Sequence, residues 1–253
     1  MTLRVLVIGI GSGNLDHLTR EAAAALNQVD VFLVADKGGA KHDLVELRAA
    51  ICAAVITHDR YRIIEVPDPE RAGSGDYGSA VVDWHTARAE RYADVIRAEI
   101  GDSGTVGFLV WGDPAFYDST IRIVEAVADH GVELELTVIP GISSVQLLAA
   151  RHRIVLNRVG EPIHITTGRR LVAEYSPGLG DVVVMLDGDL ACGALAASHP
   201  DLQIYWGAQL GLPDETLVAG PLAEVIDQIS AVRAQIRAAR GWVMDTYLLR
   251  PPS

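Results

Sequence analysis

Lysine is almost missing from this chain of 253 residues, with Lys37 and Lys41 the only two among 21 basic residues, against 33 acidic ones. The resulting net charge of −12 argues against a nucleic-acid partner, which would usually require a basic face. Cysteine is also scarce. Cys52 and Cys192 are too far apart to give a metal-ligand spacing or a disulfide framework, so they read as small buried residues of a protein from a reducing compartment. No segment approaches the roughly 18 uninterrupted apolar residues of a membrane span. The apolar start MTLRVLVIGIG is too short for a signal peptide and runs straight into a glycine loop, so a cytoplasmic protein with no membrane partner is expected. The eight histidines show no paired spacing, so no metal is expected. Gly-x-Ser-x-Gly, a Ser/His/Asp order, internal repeats and low-complexity segments are absent as well.

What is present is ordinary globular composition, 49% hydrophobic and 21% charged, arranged as alternating strand and helix patterns. Leu3–Ile8 is a continuous apolar run of the kind that a strand buried on both faces shows. Leu15–Leu26 reads as a helix capped by Asn14 or Asp16, Val31–Val34 as the second strand, and Leu44–Ala54 as a helix. Tyr61–Val66 is a third strand, residues 67–78 an exposed loop, and Ala80–Ile100 a long helix. Thr105–Trp111 and Leu134–Val138 are strands flanking a helix at Ser119–His130. This βαβ alternation predicts a parallel sheet with right-handed crossovers. The pattern restarts near Ser143, with strands at 163–166, 182–186 and 203–206, a helix at 222–240 and a last strand at 242–248. The expected architecture is two unlike α/β domains, residues 1–140 and 141–253, with the ligand site in the cleft between them.

Three stretches start apolar and break into Gly, Pro, Asp or Ser where a strand should hand over to a loop: VLVIGIGSGN at 5–14, WGDPAFYDST at 111–120 and VIPGISS at 138–144. In an open parallel sheet such handovers line up along the carboxyl edge, where ligands bind. Gly9 and Gly11 permit a tight turn and close approach of backbone to a ligand. A dinucleotide fingerprint would need glycine at position 14, which is Asn14, although Asp36 fits the ribose-binding acid of that pattern. Gly112 and Pro114 shape the second loop around Asp113, whose carboxylate suits a ribose or a sulfonium, or else caps a turn. Ser143 and Ser144 supply hydroxyls and amides at a helix start, for a ligand or as a cap.

GDP and PGISS, in this order and 27 residues apart, resemble the motifs of the tetrapyrrole (corrin/porphyrin) methylases, and the likeness extends over nearly the whole chain. The first loop is the looser match, with Ser12 and Asn14 standing where that family carries Pro and Asp. The resemblance implies S-adenosyl-L-methionine as cofactor, S-adenosyl-L-homocysteine as product, a small tetrapyrrole as substrate and a homodimer. It implies cofactor contacts from Gly9, Gly11, Ser12, Trp111, Gly112, Asp113, Phe116, Ser143 and Ser144. It also implies contacts from Met185 and Leu186 in VVVML and from Ala208 in IYWGAQLG. The segment DKGGAKHDLVELRAAI and the continuation Tyr117-Asp118-Ser119-Thr120 resemble the branch that methylates precorrin-5 at ring carbon 1 with loss of an acetyl group.

A polycarboxylate substrate and a chain of net charge −12 repel unless basic groups line the site. Lys37 and Lys41, with Tyr117, are the candidate substrate contacts, and Arg151, Arg153, Arg169 and Arg170 are further candidates for carboxylates. Acetyl removal needs a group to accept a proton, and Asp36 and His42 are nominated by position. Three alternatives stay open: another precorrin or uroporphyrinogen methylase, a nicotinamide oxidoreductase using GIGSGN and Asp36, and a non-catalytic tetrapyrrole carrier.

Overall fold

The computed structural model describes residues 2–36, 42–69 and 77–252, without the side chains of 36, 42–45 and 77–81. The chain divides into two compact units, Met1–Ser143 and Ser144–Ser253. In the first, β1 (Leu3–Gly9) leads through a 3-10 turn to α1 (Arg20–Leu26), then β2 (Val31–Asp36) and α2 (His42–Val55). β3 (Arg62–Pro67), α3 (Tyr77–Glu99), β4 (Gly104–Val110), α4 (Thr120–Asp129) and β5 (Leu134–Ile139) follow. The five strands pair only in parallel, in the order β3-β2-β4-β1-β5. Apolar runs produce this: β1 has burial on both faces, with Val5, Val7 and Leu3 packing on α3 and α4 while Leu6 and Ile8 pack on α1 and Ile51 and Cys52 of α2.

The strand order makes a switch point. From β1 the chain crosses outward past β4 to β2, and from β4 it crosses past β1 to β5, so the loops after β1 and β4 diverge to opposite faces. A switch point of this kind, at the carboxyl edge, is the usual binding place in open α/β sheets.

The second unit contains α5 (Ser144–His152), β6 (Ile163–Thr167), α6 (Gly168–Glu174), β7 (Asp181–Met185), β8 (Gln203–Ala208), β9 (Thr216–Pro221), α7 (Leu222–Arg240) and β10 (Asp245–Arg250). Its sheet is mixed, in the order β6-β7-β10-β8-β9, with only β6 and β7 parallel. The final strand lies at the centre, and Tyr247, Leu248 and Leu249 are completely buried there. Trp206, Leu171, Cys192 and Ile229 build the core on one face.

Several element boundaries differ from the sequence reading. The expected helix at 15–26 is broken, because Leu18 and Thr19 are extended and Thr19 Oγ1 caps α1 by accepting from Ala22 N at 3.0 Å. Asn14 caps only the 3-10 turn at Leu15–His17. The last strand starts at Asp245 rather than Trp242, since Gly241 ends α7 in a left-handed conformation and Met244 is held by Gln209. Helix α6 carried no clear apolar period and was not expected. Most of the expected 67–78 loop lies outside the described residues.

Candidate functional site

The three glycine-containing loops meet through their backbones. Gly11 and Gly112 exchange two hydrogen bonds, Gly11 N to Gly112 O at 3.2 Å and Gly112 N to Gly11 O at 2.7 Å, which joins the loops after β1 and β4. Both glycines have positive φ, +67° and +68°, a conformation that costs a side-chain-bearing residue about 1 kcal/mol or more. The third loop is equally close. A Cβ on Gly141 would lie 2.1 Å from Gly112 O and 2.9 Å from Gly9 Cα, so only glycine fits there.

Asp113 ties the assembly together. Its Oδ1 accepts from Ala115 N at 2.8 Å, closing the Asp-Pro turn, while Oδ2 accepts from Gly141 N at 2.9 Å. The carboxylate therefore both caps its own turn and braces the PGISS loop. Ser143 is buried beside Gly112, and Phe116 N donates to Asp113 O. Trp111 packs in the α1–α2 core, with the Arg48 guanidinium 6.0 Å from its ring centroid. Burial pushes the Arg48 guanidinium below its ordinary value, and Asp118 partly opposes that shift. Tyr117 is exposed with φ +51°, and Asp118 Oδ1 accepts from Thr120 N, the first amide of α4, at 2.6 Å. Ser12 is buried, with its hydroxyl 2.8 Å from His17 Nδ1.

Asp36 ends β2 opposite Pro67, at the same sheet edge, and His42 begins α2. Their side chains, and Lys37 and Lys41 entirely, lie outside the described residues. Two arginine candidates are already paired: Arg151 Nε lies 2.7 Å from Glu215 Oε1, and Arg170 Nε donates to Glu174 Oε1 at 2.6 Å. A guanidinium held by its own carboxylate is less available to a substrate, which counts against both. Arg153 and Arg169 are exposed.

In the second unit, Met185 and Ala208 end β7 and β8 on either side of β10, in register through Thr246 and Asp245. Ser144, at the start of α5, joins that edge, its hydroxyl 2.8 Å from Thr246 Oγ1. Leu186 and Gln209, each one residue past its strand, both have φ +53°. Two non-glycine residues in the left-handed region at one edge mark a constrained site.

Sequence reasoning missed what holds these corners. Asp187 Oδ2 accepts from Tyr247 Oη at 2.5 Å and Ala191 N at 2.8 Å, and Arg233 donates to Asp187 O. Arg233 also lies 2.8 Å from Asp245 Oδ2, which accepts from Trp206 Nε1 at 2.8 Å. Burial pushes the Asp245 carboxyl above its ordinary value, with Arg233 and Trp206 opposing. Gln209 Oε1 accepts from Met244 N, which leaves its Nε2 buried with no hydrogen-bond partner among the described residues. Among the described residues no group of His, Cys, Asp and Glu could hold a metal, and no helix is long and apolar enough to cross a membrane.

Comparison with known proteins bears on this arrangement. Residues 4–226 match the family model described as Tetrapyrrole (Corrin/Porphyrin) Methylases. A curated Sinorhizobium sp protein, Precorrin-6A synthase [deacetylating], is 48% identical over 249 residues, covering 98% of this chain and 95% of that one. The crystal structure of a cobalamin synthesis related protein (CobF) from Corynebacterium diphtheriae superposes with a TM-score of 0.86 at 38% identity, covering 100% of both chains. Uroporphyrin-III C-methyl transferase from Thermus thermophilus, complexed with S-adenyl homocysteine, shares the fold at a TM-score of 0.58 and 21% identity, covering 98% of this chain and 97% of that one.

Proposed function

This chain belongs to the tetrapyrrole (corrin/porphyrin) methylases, and we propose from that premise that it converts precorrin-5 to precorrin-6A in cobalamin biosynthesis. It methylates ring carbon 1 with S-adenosyl-L-methionine and releases the acetyl group. The observation that carries this reading is 48% identity to a deacetylating precorrin-6A synthase along 98% of the chain. The three backbone-joined loops at the switch point agree with it. Gly112, where an added Cβ would meet only Ser143 Cα at 3.6 Å among the described residues, leaves room for close approach of a bound adenosyl compound.

Bound adenosylmethionine supplies an electrophilic methyl carbon on a sulfonium. The chain's own part is to hold and orient. Gly9, Gly11, Ser12, Trp111, Gly112, Asp113, Phe116 and Ser143 in the first unit, and Ser144, Met185, Leu186 and Ala208 in the second, are the assigned cofactor contacts. Catalysis of an in-line displacement rests mainly on such positioning. Lys37, Lys41 and Tyr117 take the carboxylate-rich macrocycle, and Asp36 and His42 are candidate proton acceptors for acetyl removal. Asn14, whose Oδ1 accepts from Asp16 N at 2.9 Å, occupies the place a dinucleotide fingerprint reserves for glycine. The cytoplasm and a homodimer complete this reading.

A thermal-shift comparison tests the cofactor. S-adenosyl-L-homocysteine at 100 times its Kd adds about 2.7 kcal/mol of stability, and NAD and NADP add none. Stabilisation by a nicotinamide cofactor alone overturns the proposal. Incubation with labelled adenosylmethionine and precorrin-5 then yields methylated product and acetate in equal amounts. Light scattering at working concentration reads the oligomer.

A further inference from the structure

We infer that His17 is the general base that directs water at the acetyl group, with Ser12 as its positioning residue. This inference rests on the deacetylating reading above. Ser12 Oγ and His17 Nδ1 are 2.8 Å apart in the loop after β1, at the carboxyl edge that carries the candidate site. Two features of the backbone hold the pair. His17 closes the 3-10 turn Leu15–His17, its amide donating to Asn14 O at 3.0 Å. The bare Gly11 lets it close in, since a Cβ there would lie 2.8 Å from His17 O and 3.1 Å from His17 Cβ. Gly11 itself is pinned to Gly112 by the reciprocal hydrogen bonds.

The division of labour follows from burial. Ser12 is 6% exposed and is too enclosed to act as a nucleophile, whereas the His17 ring is only half-buried. When the hydroxyl accepts from Nδ1–H, the lone pair is left on Nε2, the nitrogen not engaged by Ser12. A base oriented by a second hydrogen-bonding group is the recurrent arrangement for activating an attacking oxygen. Ser12 also stands where the family pattern carries proline, which has no side-chain acceptor, so the pair is a feature of this loop.

The step balances with water as the only co-reactant. Water oxygen attacks the acetyl carbonyl carbon while Nε2 takes its proton. The tetrahedral intermediate collapses by breaking the bond between the acyl carbon and the ring carbon, and the electron pair passes into the conjugated macrocycle. The imidazolium returns a proton to that carbon, which leaves acetate and a C–H bond, with nothing oxidised or reduced.

The test measures acetate release in single turnovers with the acetyl-bearing corrin precursor, alongside adenosylhomocysteine affinity by calorimetry and the melting temperature. His17→Asn is expected to lower the rate of acetate release by roughly 10²–10⁴, with cofactor affinity and melting temperature retained. Ser12→Ala lowers it by a smaller factor and Ser12→Thr restores it, a rescue that a purely structural serine would not produce in this readout. Acetate release by His17→Asn within about threefold of wild type overturns the inference, as does its loss in Asp36→Asn or His42→Asn alone. If His17→Asn does not fold, the Ser12→Ala and Ser12→Thr pair decides by the same assay at saturating adenosylmethionine with adenosylhomocysteine affinity measured, and a loss in Ser12→Ala that saturating cofactor repairs overturns the inference. Wild-type protein that methylates without any acetate overturns the deacetylating reading instead, and this inference falls with it.

Discussion

Replacing Gly141 by alanine tests whether the three loops really are held backbone to backbone. The added Cβ would sit 2.1 Å from Gly112 O, with Gly9 C and Cα both 2.9 Å away. Ordinary contact begins near 3.4 Å, so the PGISS loop has to retreat by roughly 1.3 Å (3.4 − 2.1), and none of the obstructing atoms belongs to a flexible side chain. Such a retreat takes Gly141 N out of hydrogen-bond range of Asp113 Oδ2, now at 2.9 Å. Overpacking contributes about 1–3 kcal/mol, and loss of a hydrogen bond to a charged acceptor about 1.5–3 kcal/mol. Together these predict a melting temperature about 10 °C lower, taking roughly 3 °C per kcal/mol for a unit of this size. Scanning calorimetry reads the loss, and titration with adenosylhomocysteine reads a matching fall in affinity. Gly188→Ala is the control, because a Cβ there meets nothing within 4 Å. A Gly141→Ala protein melting within about 3 °C of wild type, roughly 1 kcal/mol, would refute the backbone-contact argument.

Asp113→Ala removes both amide acceptors and is expected to lower stability by about 2–4 kcal/mol and weaken adenosylhomocysteine binding, while unchanged affinity in the folded variant takes Asp113 out of the site. Arg233→Met leaves Asp245 buried without its cation and removes the donor to Asp187 O, so denaturant titration should show a loss of about 3–5 kcal/mol. Burial pushes the Cys52 thiol up to about 11 and the Cys192 thiol up to about 12, against an ordinary 9.0. A thiol reagent at pH 8 should therefore label neither until urea is added. These two groups contribute stability that is full below the unfolded thiol value and lost as pH rises through 9.0 toward about 11 and 12, so unfolding in alkaline buffer should become easier over that window.

The sheet of the first unit was legible because β1, β2 and β4 are apolar runs and its strands end at or within two residues of Gly, Pro or Asp, breakers that also mark the ligand edge. The shape of the edge was not. The Gly11–Gly112 bridge joins residues 101 positions apart (112 − 11), and no local pattern announces a hydrogen bond between backbones. Asp113 read equally well as ligand contact or turn cap, and a single sequence could not show that one oxygen caps while the other reaches Gly141. Thr19 was hidden inside an Ala-rich period that looked continuous. The Tyr247–Asp187 pairing spans 60 residues, and an aspartate next to glycine reads as a loop acid until the fold buries it. Gln209 carried no signal at all, since no glycine marks its left-handed backbone and its partner Met244 lies 35 positions away.

The central position of β10 sets an order of events during synthesis. All five strands of the first sheet have been made once residue 139 is out, so that sheet can close while the ribosome is still working. The second sheet has to wait for residue 250, because Tyr247 and its neighbours fill the gap between β7 and β8. At about 5–20 residues per second, the 111 residues between those points (250 − 139) take roughly 6–22 s. β8 ends at residue 208, so over the 42 residues from there to 250 (250 − 208), roughly 2–8 s at the same rate, β7 and β8 each have an unpaired edge, and the nascent second unit is the part of this enzyme most exposed to aggregation.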